Sequence, residues 1–173
     1  MALTQQKVDI YGGNKGIFMT SGAPFWKTKT MAEMSSAEWE SLCDGCGKCC
    51  LIRMEDEDDG RIYNTDVACQ LLDGTTCRCK DYGDRHATVP DCVVLKPDTV
   101  KKLSWIPQTC AYRLVANGED LPEWHHLISS SRDTIHEAGM SVQSMTVSEL
   151  EVDEEDHVNR ITIWPGEPDV MED

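Results

Sequence analysis

The sequence contains no uninterrupted apolar run close to the ~18 residues that a membrane-spanning helix requires. Its first 24 residues also lack the apolar segment and the clear cleavage site of a secretory signal peptide. These two absences argue against a membrane protein and against a secreted one. We therefore expect a cytoplasmic protein, in a compartment where thiols stay reduced.

Basic residues are also few. The chain has 16 Lys and Arg against 31 Asp and Glu, which gives a net charge of −15. A field of that sign repels phosphate backbones and anionic lipids. We therefore expect no nucleic-acid partner and no membrane partner, whereas bound metal ions would offset part of the charge of deprotonated thiols.

Large apolar side chains are scarce. There are only two Phe and four Tyr, although five Trp help, and the mean hydropathy is −0.43. A chain of 173 residues suits one domain, but this composition gives it a modest core. We predict a small, loop-rich, single α+β domain that depends on covalent or metal cross-links.

Cysteine, by contrast, is abundant and clustered. All nine cysteines lie between positions 43 and 110: Cys43, Cys46, Cys49, Cys50, Cys69, Cys77, Cys79, Cys92 and Cys110. Disulfide frameworks are unusual in the cytoplasm, and nine is an odd number that full intramolecular pairing cannot use. The pattern therefore predicts metal binding, with all nine cysteines as candidate ligands.

The densest part is 43-CDGCGKCC-50, in which C-x-x-C-x-x-C is followed at once by a fourth cysteine. A C-x-x-C turn lets two sulfurs converge on one ion. Adjacent side chains in an extended segment point apart, so Cys49 and Cys50 are predicted to serve different metal centres, or one of them to bridge two. For Cys92 and Cys110, burial as small apolar residues is the main alternative to metal ligation.

The metal is less well determined by the pattern. Three thiols at two-residue spacing with a distant fourth are similar to a [4Fe–4S] motif, although the proline that often follows such motifs is missing. Structural zinc sites more often combine two separate knuckles. Iron or an iron–sulfur cluster is our first interpretation, and zinc is the alternative. His86 is the histidine best placed to add a ligand, and the chain shows no catalytic motif.

The predicted elements are short. A capping box at Ser35 and Glu38 predicts a helix over 35–42, and further helices are expected at 97–104 and 130–138. Residues 61–72 resemble a strand that follows an acidic hairpin tip at 55–60, and weaker strand patterns occur at 141–150 and 160–164. We expect a flexible leader at 1–23, with Met19 as a candidate native start, a metal-binding domain at 24–165 and an acidic tail at 166–173.

These motifs resemble one family. The run CDGCGKCC, together with VAC at 67–69, TCRCKDY at 76–82, DC at 91–92 and TCAYRL at 109–114, is similar to the bacterial CxxCxxCC cysteine-cluster proteins of the YcgN/YkgJ type. The flanking segments at 24–50, 105–113 and 121–127 agree, so the likeness covers roughly residues 24–165. The resemblance implies a zinc- or iron-chelating domain without choosing the metal, and it implies no defined reaction.

Three functions are compatible with these observations. The first is a metal-chelating protein that holds iron or an iron–sulfur cluster for redox, sensing or metal handling. The second is a zinc-stapled adaptor that binds another protein through its acidic face or through residues 124–127. The third is a metalloenzyme with Tyr112 or Arg113 near an open metal position, although no residue pattern demands it.

Overall fold

The computed structural model describes residues 22–170, in which short helices and strands alternate with turns. The helices in this range are α1 (Phe25–Thr28), α2 (Ser36–Ser41), α3 (Arg85–Thr88), α4 (Ala111–Asn117), α5 (His126–Ser129) and α6 (Thr134–Glu137). The strands are β1 (Leu51–Glu55), β2 (Ile62–Ala68), β3 (Leu72–Asp73), β4 (Arg78–Cys79) and β5 (Val147–Ser148). Further 3₁₀ segments lie at Met31–Glu33, Lys48–Cys50, Val100–Lys102, Glu149–Glu151 and Glu154–Arg160.

The architecture mixes helix and strand in one small unit, as the α+β prediction requires. Of the predicted leader at 1–23, only Gly22 and Ala23 belong to the described residues. The proposed start at Met19 lies outside them as well. Within residues 22–170, no helix is both long enough and apolar enough to cross a bilayer.

Helix α2 confirms the capping-box prediction. The Ser35 hydroxyl accepts a hydrogen bond from the amide of Glu38, and the Glu38 carboxylate accepts one from the amide of Ser35. Trp39 then turns inward, and its indole donates to the carbonyl of Leu95 at 3.1 Å. The helix ends at Ser41, followed by the fully buried Leu42. The cap and the buried face together deliver the first cysteine, Cys43, at the edge of the core.

The main sheet has the order β1-β2-β5. Strands β1 and β2 form an antiparallel hairpin in which Leu51 pairs with Ala68 and Glu55 pairs with Ile62. The predicted acidic tip at 55–60 makes the connection between them. Strand β5 lies parallel to β2 on its other side, and β3 and β4 form a separate two-residue antiparallel pair.

The core consists of two groups of buried apolar residues. The helical cluster contains Trp39, Leu42, Val100, Ile106, Ala111, Tyr112, Ala116 and Leu121. The sheet cluster contains Leu51, Ala68, Leu72, Cys77, Val142 and Trp164. Several cysteines directly follow or precede cluster members in sequence, as Cys43 follows Leu42 and Cys69 follows Ala68. These thiols therefore lie at the edges of the clusters, where the turns begin.

Four predicted elements are shorter than expected, and of the strand pattern at 141–150 only the two-residue β5 is a strand. The helix predicted at 97–104 is a single 3₁₀ turn at Val100–Lys102, because Leu103 already has extended backbone angles. The helix predicted at 130–138 is limited to α6, since Ser130 has φ +64°. The strand pattern at 160–164 gives only one bridge, between Thr65 and Ile161.

Candidate metal centre

Residues 42–50 form a tight loop between α2 and β1. Gly45 and Gly47 have φ values of +83° and +79°, which residues with a Cβ rarely adopt. A Cβ at Gly47 would also lie 2.6 Å from Cγ2 of Val142. The Gly47 carbonyl accepts a hydrogen bond from the Cys50 amide at 3.0 Å, which closes the turn. The loop therefore presents its four cysteines from a backbone with little freedom.

Two later cysteines, Cys69 and Cys79, are tied to this loop or to one another by the backbone, whereas Cys92 is held within its own loop. The amide of Cys69, which follows β2, donates to the carbonyl of Cys50 at 2.9 Å. Cys79 lies on β4, opposite Leu72 of β3, and the amide of Leu72 donates to the Cys69 carbonyl at 2.8 Å. Cys92 lies in the loop after α3, where its amide donates to Val89.

Cys49 lies within electrostatic reach of Cys43, Cys46 and Cys110. Loss of solvation, followed by the effects of Cys49 and Asp44, raises the pKa of Cys43 to about 12. Burial raises the pKa of Cys46, followed by the effects of Asp44, Cys49 and Cys110. Burial also raises the pKa of Cys110, with Asp44 and Cys49 next in effect. Cys43 is partly exposed to solvent. The loss of solvation at its thiol comes from the protein atoms packed on its other side.

A second set of thiols surrounds Cys50. The pKa of Cys50 is raised by the adjacent Cys49 sulfur, by burial, and by Cys69 and Cys92. Burial raises the pKa of Cys69, and Cys92 and Cys79 contribute in the same direction. Like charges that repel in this way would be stabilised by a cation bound among them.

The two sets meet at the vicinal pair. The Sγ atoms of Cys49 and Cys50 are 3.9 Å apart. The thiol of Cys50 and, less strongly, the guanidinium of Arg53 lower the pKa of Cys49 to about 7. Cys49 is therefore the thiol of this pair that ionises first.

Arg53 is a cation held beside these sulfurs. Its guanidinium donates to the carbonyls of Lys48 at 2.9 Å and Leu51 at 3.2 Å, and it lies 4.7 Å from the centre of the Trp105 ring. Burial lowers the pKa of Arg53, and the thiols of Cys49 and its neighbours oppose that shift. Arg53 is placed to stabilise thiolate charge.

Lys48 lies inside the cysteine loop and is almost fully buried. Its ammonium donates to Thr109 Oγ1 at 3.2 Å, to Glu167 Oε1 at 3.1 Å and to the carbonyl of Pro165. Glu167 also accepts from the Thr109 hydroxyl at 3.0 Å and from the Gln108 amide at 2.7 Å. These contacts hold Thr109, and therefore the cysteine that follows it, against the loop.

The histidines have other roles in this geometry. His125 is buried and its Nε2 lies 3.0 Å from the Leu42 carbonyl. His126 stacks on it at 4.5 Å between ring centres, and burial and then His125 lower the pKa of His126 to about 4. His86, the histidine best placed in sequence to add a ligand, is exposed, and its Nδ1 lies 3.4 Å from the Pro90 carbonyl.

The described side chains have not converged into a closed metal site. In the range 22–170, no three Cys, His, Asp or Glu side chains are placed to bind one metal ion together. The assignment of all nine cysteines as ligands thus stays a prediction. The donor set fits a soft metal, because the nine thiols are free and a bound cation would stabilise the thiolate forms that burial and neighbouring thiols disfavour. Binding would require the thiols to approach each other more closely.

Sequence reasoning missed the charged residues around the thiols. Lys48 could have been noticed as a lysine between cysteines, but its burial depends on Glu167, which is distant in sequence. Arg53 lies in β1, a strand that the sequence pattern did not predict. Neither residue type carries a metal-ligand signal of its own.

Comparison with known proteins gives consistent matches. The model of the CxxCxxCC family, described as a "Putative zinc- or iron-chelating domain", matches residues 42–111, a range that contains all nine cysteines. A UPF0260 protein of Sinorhizobium fredii is 56% identical over 144 residues, which are 83% of this chain and 93% of that protein. A UPF0260 protein of Mesorhizobium japonicum is 64% identical over 120 residues, 69% of this chain and 81% of that protein.

A UPF0260 protein of Rhodopseudomonas palustris is 58% identical over 143 residues, which are 82% of this chain and 84% of that protein. No solved structure matches the chain.

Proposed function

The chain belongs to the UPF0260 family of CxxCxxCC proteins, and on this premise we propose that it is an intracellular metal-chelating protein whose clustered cysteines bind iron or an iron–sulfur cluster. Redox chemistry, sensing or metal handling are the roles that such a centre would serve. Zinc is the alternative metal.

One observation carries the proposal. Thiols from the 43–50 loop lie within electrostatic reach of thiols from the end of β2, the loop after α3 and the start of α4, and all nine cysteines are free of disulfides. Ionising these thiols to thiolates in poorly solvated positions costs free energy, and a bound cation would offset that cost. Soft divalent metals and iron–sulfur clusters are the species that thiolates prefer.

The protein's own residues prepare this site in two ways. Arg53 brings a fixed positive charge next to Cys49, which favours the thiolate form that metals bind. The positive φ values at Gly45 and Gly47 let the loop turn tightly between its cysteines. When bound, an iron–sulfur cluster would supply one-electron transfer.

The decisive experiment is elemental analysis of protein purified without oxygen from its native host. We expect iron, with or without acid-labile sulfide, and a brown colour with absorbance at about 400 nm for a cluster. Stoichiometric zinc in colourless protein would refute the iron assignment and leave chelation intact. Protein that holds no metal after such handling would refute the proposed function.

The alternative is a zinc-stapled adaptor for another protein. Exposed apolar side chains near the carboxyl end favour it, among them Leu150, at 73% exposure, and Ile163, at 60%. The 124–127 segment is a poor docking surface, since His125 is fully buried and Leu127 packs on the helical cluster. Zinc-loaded protein that co-purifies with one stoichiometric partner, and loses it on Leu150→Asp, would support the adaptor function.

A further inference from the structure

We propose that residues 164–167 form a latch beside the cysteine loop, and that Glu167 is a positioning residue for the thiol of Cys110. The latch holds the start of α4 against the loop, and its opening frees Cys110 and speeds the exit of bound metal. Metal exit rests on the proposed function, whereas the contacts of the latch do not depend on any metal.

The latch is anchored in the sheet cluster. Trp164 is buried there, and its indole donates to the carbonyl of Thr65 in β2 at 3.0 Å. The amide of Glu167 donates back to the Trp164 carbonyl at 2.9 Å, which closes a tight turn. Within this turn Gly166 has φ +76°, a conformation that residues with a Cβ rarely adopt. The anchor and the turn together place Glu167 relative to the sheet.

The Glu167 carboxylate joins two segments that are distant in sequence. Its Oε2 accepts a hydrogen bond from the Gln108 amide at 2.7 Å. Its Oε1 accepts from the Thr109 hydroxyl at 3.0 Å and from the Lys48 ammonium at 3.1 Å. Lys48 of the cysteine loop and Thr109, which precedes Cys110, are therefore bound to the same carboxylate.

The latch also packs closely on Thr109. A Cβ on Gly166 would lie 2.5 Å from Cγ2 of Thr109 and 2.8 Å from Cε of Met140, closer than packed atoms approach. The next residue, Cys110, has its amide bonded to the Pro107 carbonyl at 3.0 Å and forms the N-cap of α4. Because Cys110 has a hydrogen-bonded turn on one side and a helix on the other, a shift of Thr109 moves Cys110 with it.

The ion pair in the latch suits positioning better than it suits stability. The side chains of Lys48 and Glu167 are each only 2% exposed. Apolar residues of similar volume often stabilise a protein as much as a buried ion pair does, but only the pair imposes a hydrogen-bond geometry on its neighbours. Replacing one partner leaves a buried charge unpaired, whereas replacing both removes the geometry and keeps the packing. A double variant therefore tests positioning most directly.

Lys48→Met/Glu167→Met is that variant. In the protein as purified, hydrogen exchange at the Gln108 amide should speed up, because its acceptor is gone. After metal removal under reducing conditions, alkylation of Cys110 should be faster on the order of tenfold, the effect of losing one hydrogen bond to a charged group. Alkylation of the cysteines within residues 69–92 should change little. Peptide mapping by mass spectrometry measures each rate.

Two matched variants control for other causes. Asp66→Met/Arg160→Met removes a different ion pair, between β2 and the segment that precedes the latch, and should leave Cys110 alkylation unchanged. Gly166→Ala disturbs the latch by a second route that keeps every charge. Gly60→Ala also places a Cβ at positive φ, but in open space, so Cys110 should react faster in Gly166→Ala than in Gly60→Ala.

Two outcomes would overturn the positioning of Cys110 by the latch. The first is an unchanged rate of Cys110 alkylation in Lys48→Met/Glu167→Met. The second is an equal acceleration at all nine cysteines, because that result indicates general loosening of the fold. Gly166→Ala is judged by the same two outcomes, and it decides the matter if the double variant fails to fold.

Zinc-loaded protein tests the control of metal exit. Transfer of zinc to a coloured chelator should be faster from Lys48→Met/Glu167→Met than from the wild type, and Asp66→Met/Arg160→Met should match the wild type. Equal rates in all three proteins would overturn control of metal exit by the latch. Wild-type protein that binds neither zinc nor iron would instead overturn the proposed function, while the alkylation rates would still decide the positioning of Cys110.

Discussion

The helical cluster and the sheet cluster differ in how much apolar material supports them. The helical cluster has eight buried members, and ten partly buried hydrophobic residues pack against it. The sheet cluster has six, and only Cys50 is packed against it as a partly buried hydrophobic residue. Apolar burial contributes roughly 25 cal/mol per Å², so the first region can be stable by packing alone to a degree that the second cannot.

The cysteines are distributed in a way that matches this difference. Cys43, next to Leu42, and Cys110, next to Ala111, adjoin the helical cluster. Cys50 and Cys69 adjoin the sheet cluster, and Cys79 lies on β4, one of three strands in the described range that are only two residues long. We therefore expect metal removal to affect the sheet side more than the helical side.

The largest expected effect comes from metal removal. Structural thiolate sites supply on the order of 10 kcal/mol of folding free energy. After anoxic chelation, we expect amide hydrogens of residues 69–92 to exchange rapidly, while α2 and α4 keep part of their protection. Hydrogen exchange with mass spectrometry measures this directly, and readdition of metal provides the control. Equal loss of protection in both regions would remove the contrast between the clusters.

The next effect concerns the buried contacts of Lys48 with Thr109 and Glu167. Lys48→Met should destabilise the metal-loaded protein by about 3–5 kcal/mol, because it leaves the buried Glu167 carboxylate without its partner. Lys27→Met is the matched control, since the Lys27–Asp120 pair is exposed and its loss should change the stability little. Urea unfolding curves give both values. Similar unfolding midpoints for the two variants would show that the Lys48–Glu167 pair contributes little to stability.

A smaller effect tests how closely the cysteine loop packs against its neighbours at Gly47. Gly60→Ala and Gly47→Ala both place a Cβ at positive φ, which costs about 1–2 kcal/mol. Gly60 has open space around it, whereas a Cβ at Gly47 meets Val142, so Gly47→Ala should cost a further 1–3 kcal/mol or so from overpacking. Thermal unfolding compares them. Equal melting temperatures would mean that Val142 moves aside freely and that the sheet cluster is looser than described.

Local sequence signals predicted the elements that carry their own start or stop residues. The capping box at Ser35 and Glu38 located α2, and the acidic tip located the β1–β2 hairpin. Helix α4 was missed because its N-cap is Cys110, which makes no side-chain capping hydrogen bond. Strand β1 was missed because Arg53 and Glu55 obscure its alternation.

The candidate site was predictable only in part, because sequence spacing locates neighbouring residues and not contacts between distant ones. Cysteine spacing identified the 43–50 loop, since neighbours in sequence must be neighbours in space. The groups that surround it are set by tertiary contacts, such as that between Lys48 and Glu167, and by the pairing of β3 with β4. No local pattern encodes such contacts. The sequence could therefore name the candidate ligands, but not which of them lie close together.

The separation of Lys48 from Glu167 has a consequence for biosynthesis. A ribosome adding 5–20 residues per second needs roughly 6–24 s to make the 119 residues that separate them. During that interval Cys92 is completed before Cys110, and Cys110 before the carboxylate that secures it. The order of translation thus presents all nine cysteines before the buried carboxylate partner of Lys48 has been made.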